Sequence, residues 1–109
     1  MQTVGIVLNV GGDQADAFER GFREMEEPLW DDLYARGELV MATLSRLDIS
    51  TVGRDGARQY LVVAVFATDQ GHQLHDSDPR FEAWNQRADA YQVAEPFVFG
   101  GETIVHASP

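Results

Sequence analysis

The sequence predicts an α+β domain of βαββαβ order, a four-stranded antiparallel sheet carrying two helices on one face. Three patterns lead to this expectation. The N-terminus alternates apolar and small residues as a strand does, two amphipathic helical stripes are each followed by a strand-like run, and a polar turn segment joins the two middle strands. A chain of 109 residues holds one domain, 1–109, with one core.

Val4, Ile6, Leu8 and Val10 alternate with Thr3, Gly5, Val7 and Asn9, and Gly11-Gly12-Asp13 closes this first strand. Asp13 is the expected cap of a helix whose inward stripe is Phe18, Phe22, Met25, Leu29 and Leu33. Asp16–Arg20, Glu19–Arg23 and Asp32–Arg36 are spaced as acid-before-base pairs on its wet side. The acidic run Glu24, Glu26, Glu27, Asp31 and Asp32 reads as a solvated face. Pro28 predicts a kink or a restart, and Gly37 the stop. The second strand is expected over Leu39–Leu47, a hairpin with its turn at Asp55-Gly56 next, and the third strand over Tyr60–Ala67. Gln70 to Asp76 is expected to form a single helical turn. Asp78-Pro79 then starts a second helix facing inward through Phe81, Trp84, Ala88 and Tyr91. Pro96 is expected to end that helix and Phe97–His106 to form the last strand, with a bulge or close backbone approach at Gly100-Gly101. Two βαβ halves joined by a hairpin make a ferredoxin-like plan.

The third strand is apolar on both sides: Leu61, Val63, Val65 and Ala67 point one way, Tyr60, Val62, Ala64 and Phe66 the other. One helical layer covers only one face, so the second needs a cover, and a second copy related by a two-fold axis is the simplest one. A homodimer through the sheet is therefore expected. Eighteen acids against eight bases, all arginine, give a net charge of −10, which disfavours nucleic acid and anionic membrane as partners. No apolar run reaches the roughly 20 residues of a membrane span, and the first residues lack the features of a signal peptide, so a cytoplasmic protein is expected. The absence of cysteine excludes disulfides, thiolate nucleophiles and Cys-ligated metals; the absence of lysine excludes Schiff bases and phosphate-loop lysines.

With Asn9 in the first strand and Phe81-Glu82-Ala83-Trp84 in the second helix, the chain resembles the dimeric α+β barrel superfamily, and within it the antibiotic biosynthesis monooxygenase-like group. The resemblance spans nearly the whole chain in architecture and a few positions in sequence. It implies a dimer, and an activity among those of the group: cofactor-independent oxygenation of aromatic polyketides, haem degradation, or in related barrels isomerisation and cyclisation. Haem-degrading members carry an axial histidine ten residues after the tryptophan, where this chain has Ala94. Haem therefore lacks its ligand, and no cofactor is expected. The YCII-like barrels share an Asp-Pro near the second helix but need a histidine in the first helix, and residues 14–36 contain none.

Asn9, His72 and His75 are the candidates for chemistry, and Phe81, Trp84 and Tyr91 those for shaping a substrate pocket. His72 and His75 fall at i, i+3 beside Asp76 and Asp78. They read as a proton-moving or substrate-contacting pair, as part of a metal site, or as solvated caps; their spacing matches no specific metal motif, and no metal is expected. Asn9 is either satisfied internally or aimed at a ligand carbonyl or enolate. Glu102, Ile104 and His106 share a face of the last strand and read as an exposed edge. Gly71 and Pro79 bracket a segment that could open and close over a pocket. Two functions fit: a cofactor-independent monooxygenase, isomerase or cyclase acting on a small apolar or aromatic substrate, or a non-catalytic module binding a small ligand. A cavity with converging polar groups favours the first, and a flat-packed second helix with Asn9 satisfied by backbone the second.

Overall fold

The computed structural model describes residues 1–108. Strand β1 (Gln2–Gly11) runs through the middle of the sheet, paired antiparallel along its length with β3 (Ala57–Phe66) on one side and β4 (Gln92–Glu102) on the other. Strand β2 (Leu39–Arg46) pairs with β3, which gives the order β2-β3-β1-β4. Each crossover between strands holds two helices. Helices α1 (Ala15–Met25) and α2 (Glu27–Ala35) fill the first crossover, α3 (Asp69–Ser77) and α4 (Pro79–Asp89) the second. No helix among the described residues is long and apolar enough to cross a membrane.

The break between α1 and α2 follows from Pro28. It lacks the N–H that a helix interior needs and sits in the first turn of a new helix, where that donor would be unpaired anyway. Gly37 at φ 76° stops α2 and Gly56 at φ 79° makes the hairpin turn, both in the left-handed region that a side chain disfavours. Asp78 caps α4, its carboxylate accepting from the Arg80 N–H at 2.8 Å ahead of Pro79.

Val4, Ile6, Leu8 and Val10 of β1 meet the helices, as do Tyr60, Val62, Ala64 and Phe66 of β3. Two clusters form there. One gathers Val4, Leu33, Leu39 and Phe66, the other Val10, Phe18, Phe22, Tyr60 and Trp84. Each fully buried side chain such as Phe18 or Leu29 stabilises the fold by roughly 1.5–3 kcal/mol. On the other face Gly5 lies between Val63 and Phe99, and Val7 between Leu61 and Phe97. No helix covers them, and Phe99 is left 60% exposed.

Several expectations require correction. The segment after β3 is a nine-residue helix, not one turn. Strand β4 starts before Pro96 and ends at Glu102, so the proline lies inside a strand rather than ending a helix, and Ile104 and His106 lie outside it, exposed. The strand admits Pro96 because it is a sheet edge and is bulged there: Val7 pairs with Phe97 but Asn9 with Ala94. The bulge is thus at Glu95-Pro96, and Gly100-Gly101 pair regularly with Val4 and Thr3. The acids bond across elements instead of along their helix. Glu19 takes Arg46 at 2.5 Å and Asp32 takes Arg80 at 2.6 Å. Gly71 is no hinge: a Cβ there would stand 2.7 Å from the Glu38 carbonyl oxygen, so it marks a close approach of α3 to the chain before β2.

Candidate functional site

Helix α4 packs on α1 and α3 and stands off the strands. The α1–α4 approach is set by Gly21, where a Cβ would sit 2.6 Å from the Trp84 ring. Between α4 and the sheet a cavity of about 360 Å³ remains, running between the two core clusters. Its floor includes Val4, Ile6, Leu8, Val62 and Ala64 of the sheet, and its walls Phe22, Trp30, Phe66, Phe81 and Trp84. The volume is at the small end of the range for small-molecule sites.

One wall is polar. His75 projects from α3 between two carboxylates, its Nε2–H donating a very short hydrogen bond to Glu26 Oε1 and its Nδ1–H donating to Asp76 Oδ1 at 2.8 Å. Set between two carboxylates, both ring nitrogens are placed to donate, the arrangement that favours the protonated ring. Burial works against that charge, but the hydrogen bond and charge of Glu26, then those of Asp76, outweigh it and hold His75 above its ordinary pKa. The other Asp76 oxygen lies 3.1 Å from His72 Nε2, and His72 Nδ1 lies 3.1 Å from Gln2 Oε1 while its ring stacks on Phe66. Hydrogen bonds thus join Asp76, His75 and Glu26, and separately Gln2 and His72, with the half-exposed Asp76 bridging the two groups through its ion-pair-distance contact to His72. The series ends inward at Glu26, which is 3% exposed.

Of the residues singled out in the sequence, His72, His75, Phe81 and Trp84 line this cavity together, whereas Asn9 and Tyr91 do not. Asn9 faces away from the helices. Its Oδ1 accepts from Gln59 Nε2 at 2.8 Å, and its Nδ2 donates to the Glu95 carbonyl at 3.1 Å, tying the β4 bulge to β3. Tyr91 sits at the α4–β4 turn, where its hydroxyl accepts from Arg87 Nε at 3.2 Å. Among the described residues no three acidic or histidine side chains converge as a metal cage.

The acidic run that reads as a solvated face does not hold for Glu26, which is buried. At i+4 from Phe22 and i−3 from Leu29 it occupies the inward stripe as well as Met25 does, and the helix break at Pro28 turns it to the cavity. That spacing, and not its charge, was the signal that could have found it. Gln92, at the start of β4, also lines the cavity. A more open depression of about 540 Å³ lies over Tyr60 between α1 and β2. At its base the Glu19 carboxylate bonds both Arg46 and the Tyr60 hydroxyl.

No family model matches the sequence, and no curated protein matches it. Solved structures do match its fold. An antibiotic biosynthesis monooxygenase superimposes with TM-score 0.71 at 12% identity, over 96% of this chain and 100% of that one. HapK from Hahella chejuensis gives 0.72 at 18% identity over 100% and 98%. A mutant of SnoaB, a cofactor-independent oxygenase from Streptomyces nogalater, gives 0.62 at 22% over 96% and 97%. The chain has the ferredoxin-like α+β fold of the antibiotic biosynthesis monooxygenase-like proteins.

Proposed function

We propose that this protein is a small enzyme working without a bound organic cofactor, and that its substrate is a small apolar or aromatic molecule held between the sheet and α4. The observation that carries this reading is a histidine, His75, clamped between two carboxylates in the wall of an otherwise apolar cavity. Protons and charge are expensive to keep in such a place, and proton transfer is the use that repays them. His75 is the acid that gives the proton, Asp76 orients it, and Phe81 and Trp84 set the shape of the pocket. Oxygenation, isomerisation and cyclisation can each run through an enolate, whose charge such a group stabilises and then discharges by protonation. The fold shared with a cofactor-independent oxygenase agrees with this chemistry. Turnover of aromatic hydroxy compounds, followed as oxygen uptake and as product, should fall by a factor of about 100 in His75→Gln. Full activity in that variant would rule out His75 as the proton carrier.

One observation favours the second reading, a ligand-binding module without catalysis. Asn9, the amide that could polarise a substrate carbonyl, is satisfied inside the fold and away from the cavity. Binding without turnover by the intact protein, unaffected by pH around the His75 titration, would support that reading.

The uncovered apolar face, with Val63, Leu61, Phe97 and Phe99, supports a homodimer formed through the sheet. The fold shared with the monooxygenase-like proteins is consistent with such pairing.

A further inference from the structure

Glu26 sits 3% exposed at the α1–α2 break, and only one of its two oxygens is used. Oε1 accepts from His75, while Oε2 is buried without any hydrogen-bond partner. An ionised carboxylate oxygen accepts whichever way the group is turned, so the group that completes it is a donor. A buried polar atom left unpaired is costly, and it is tolerated in native proteins mainly where something else completes it. Gln92 repeats the pattern, its Oε1 also buried without a donor in the same cavity. Charge points the same way. His75 offsets one of the carboxylates Glu26 and Asp76, which leaves the polar wall net negative on a protein of charge −10.

We propose that Glu26 is the specificity-determining residue of this cavity, and that the ligand is an apolar molecule whose polar group is a hydroxyl or N–H donor seated on Glu26 Oε2, never an anion. This rests on the cavity's being the functional site, and it adds the chemical class of what enters. The aromatic rings of Phe22, Trp30, Phe81 and Trp84 take the apolar body. A carboxylate-bearing ligand of the same shape would bring a second negative charge against a buried one.

The test uses a matched series on the intact protein: methylnaphthalene, naphthylmethanol, naphthylmethylammonium and naphthoate. Each is titrated while the Trp84 indole N–H and the Ala64 and Ala88 methyl signals are followed by NMR. Naphthylmethanol and naphthylmethylammonium should each bind about tenfold more tightly than methylnaphthalene, the scale of one hydrogen bond to a charged group, and naphthoate should be rejected. Glu26→Gln, which keeps a partner for His75, should shrink the preference, and Glu26→Leu should abolish it while methylnaphthalene still binds. A larger advantage for the ammonium than for the alcohol marks charge pairing, and equal affinity marks donation alone; either supports Glu26 as the selector. Naphthoate binding as tightly as the alcohol, or an unchanged preference in Glu26→Leu, overturns the assignment of Glu26 and leaves the cavity as a site. No perturbation of the cavity signals by any of the four overturns both.

Discussion

Gly21→Ala sets two known effects against each other, and the structure decides between them. Alanine is better than glycine in a helix by about 1 kcal/mol, so helix α1 taken alone would be stabilised. The added Cβ, however, would lie 2.6 Å from Trp84 Cζ3 and 3.1 Å from the Arg87 guanidinium. Carbon atoms rest about 3.5–4 Å apart, so the indole must retreat by about 1 Å. Phe18 and Phe22, with ring centroids 5.7 and 5.9 Å away, hold it on the side of the core. The ring can therefore move only at the expense of the cavity or of the α1–α4 spacing. Overpacking of this kind costs about 1–3 kcal/mol, so the net result is a loss of about 1 kcal/mol, or about 5 °C in midpoint for a domain of this size. Thermal and urea unfolding measure it. Trp84→Phe removes the colliding atom, so in the double variant the second substitution should cost less than it does alone. A raised midpoint in Gly21→Ala, or strict additivity with Trp84→Phe, would refute the close approach of α1 and α4.

Three further outcomes follow from named contacts. Val63→Glu, on the uncovered sheet face, should yield folded monomers or soluble aggregates by light scattering where the parent gives twice the chain mass; Phe66→Glu, buried at 2% exposure in the core, should instead unfold. Asn9→Ala leaves the Gln59 amide with only the Val52 carbonyl and removes the donor to the Glu95 carbonyl, so it should lower stability by about 1–3 kcal/mol while leaving ligand binding in the cavity unchanged. The Arg46 hydrogen bond, aided by the Tyr60 hydroxyl and opposed by burial, holds Glu19 at about 2, down from 4.5. Because the folded value is the lower one, this contribution is complete above pH 4.5 and is lost as the pH falls toward 2; in Arg46→Ala the Glu19 titration seen by NMR should move back up.

The features readable from the sequence are those set by local chemistry. Alternation gave β1, Pro28 its helix restart, Gly37 and Gly56 their turns, and Asp78-Pro79 the cap of α4. Misreadings arose where a distant partner overrides the local rule. Pro96 reads as a breaker until β4 is seen to be a bulged edge. His72, His75, Phe81 and Trp84 could be singled out by residue type and spacing. Glu26 shows its inward place by spacing alone, while its charge in an acidic run looks solvated, and only the tertiary packing of α3 against the α1–α2 break supplies its histidine. Asn9 shows the converse, since an amide among apolar residues marks a buried hydrogen bond but not which face of the sheet it serves.

The imidazole of His75 is where the structure and its use meet most directly. With its folded pKa raised above 6.5, the ring contributes stability that is fully present below 6.5 and is lost as the pH rises through the folded value. A nitrogen-15 NMR titration of the histidine rings, run with and without naphthylmethanol, reports both its protonation and its place in the cavity. The clamp between Glu26 and Asp76 predicts a midpoint above 6.5, with protons on both ring nitrogens below it, and signals that shift when the ligand enters. A midpoint at or below 6.5, with signals indifferent to the ligand, would contradict a charged histidine at the heart of a small-molecule site.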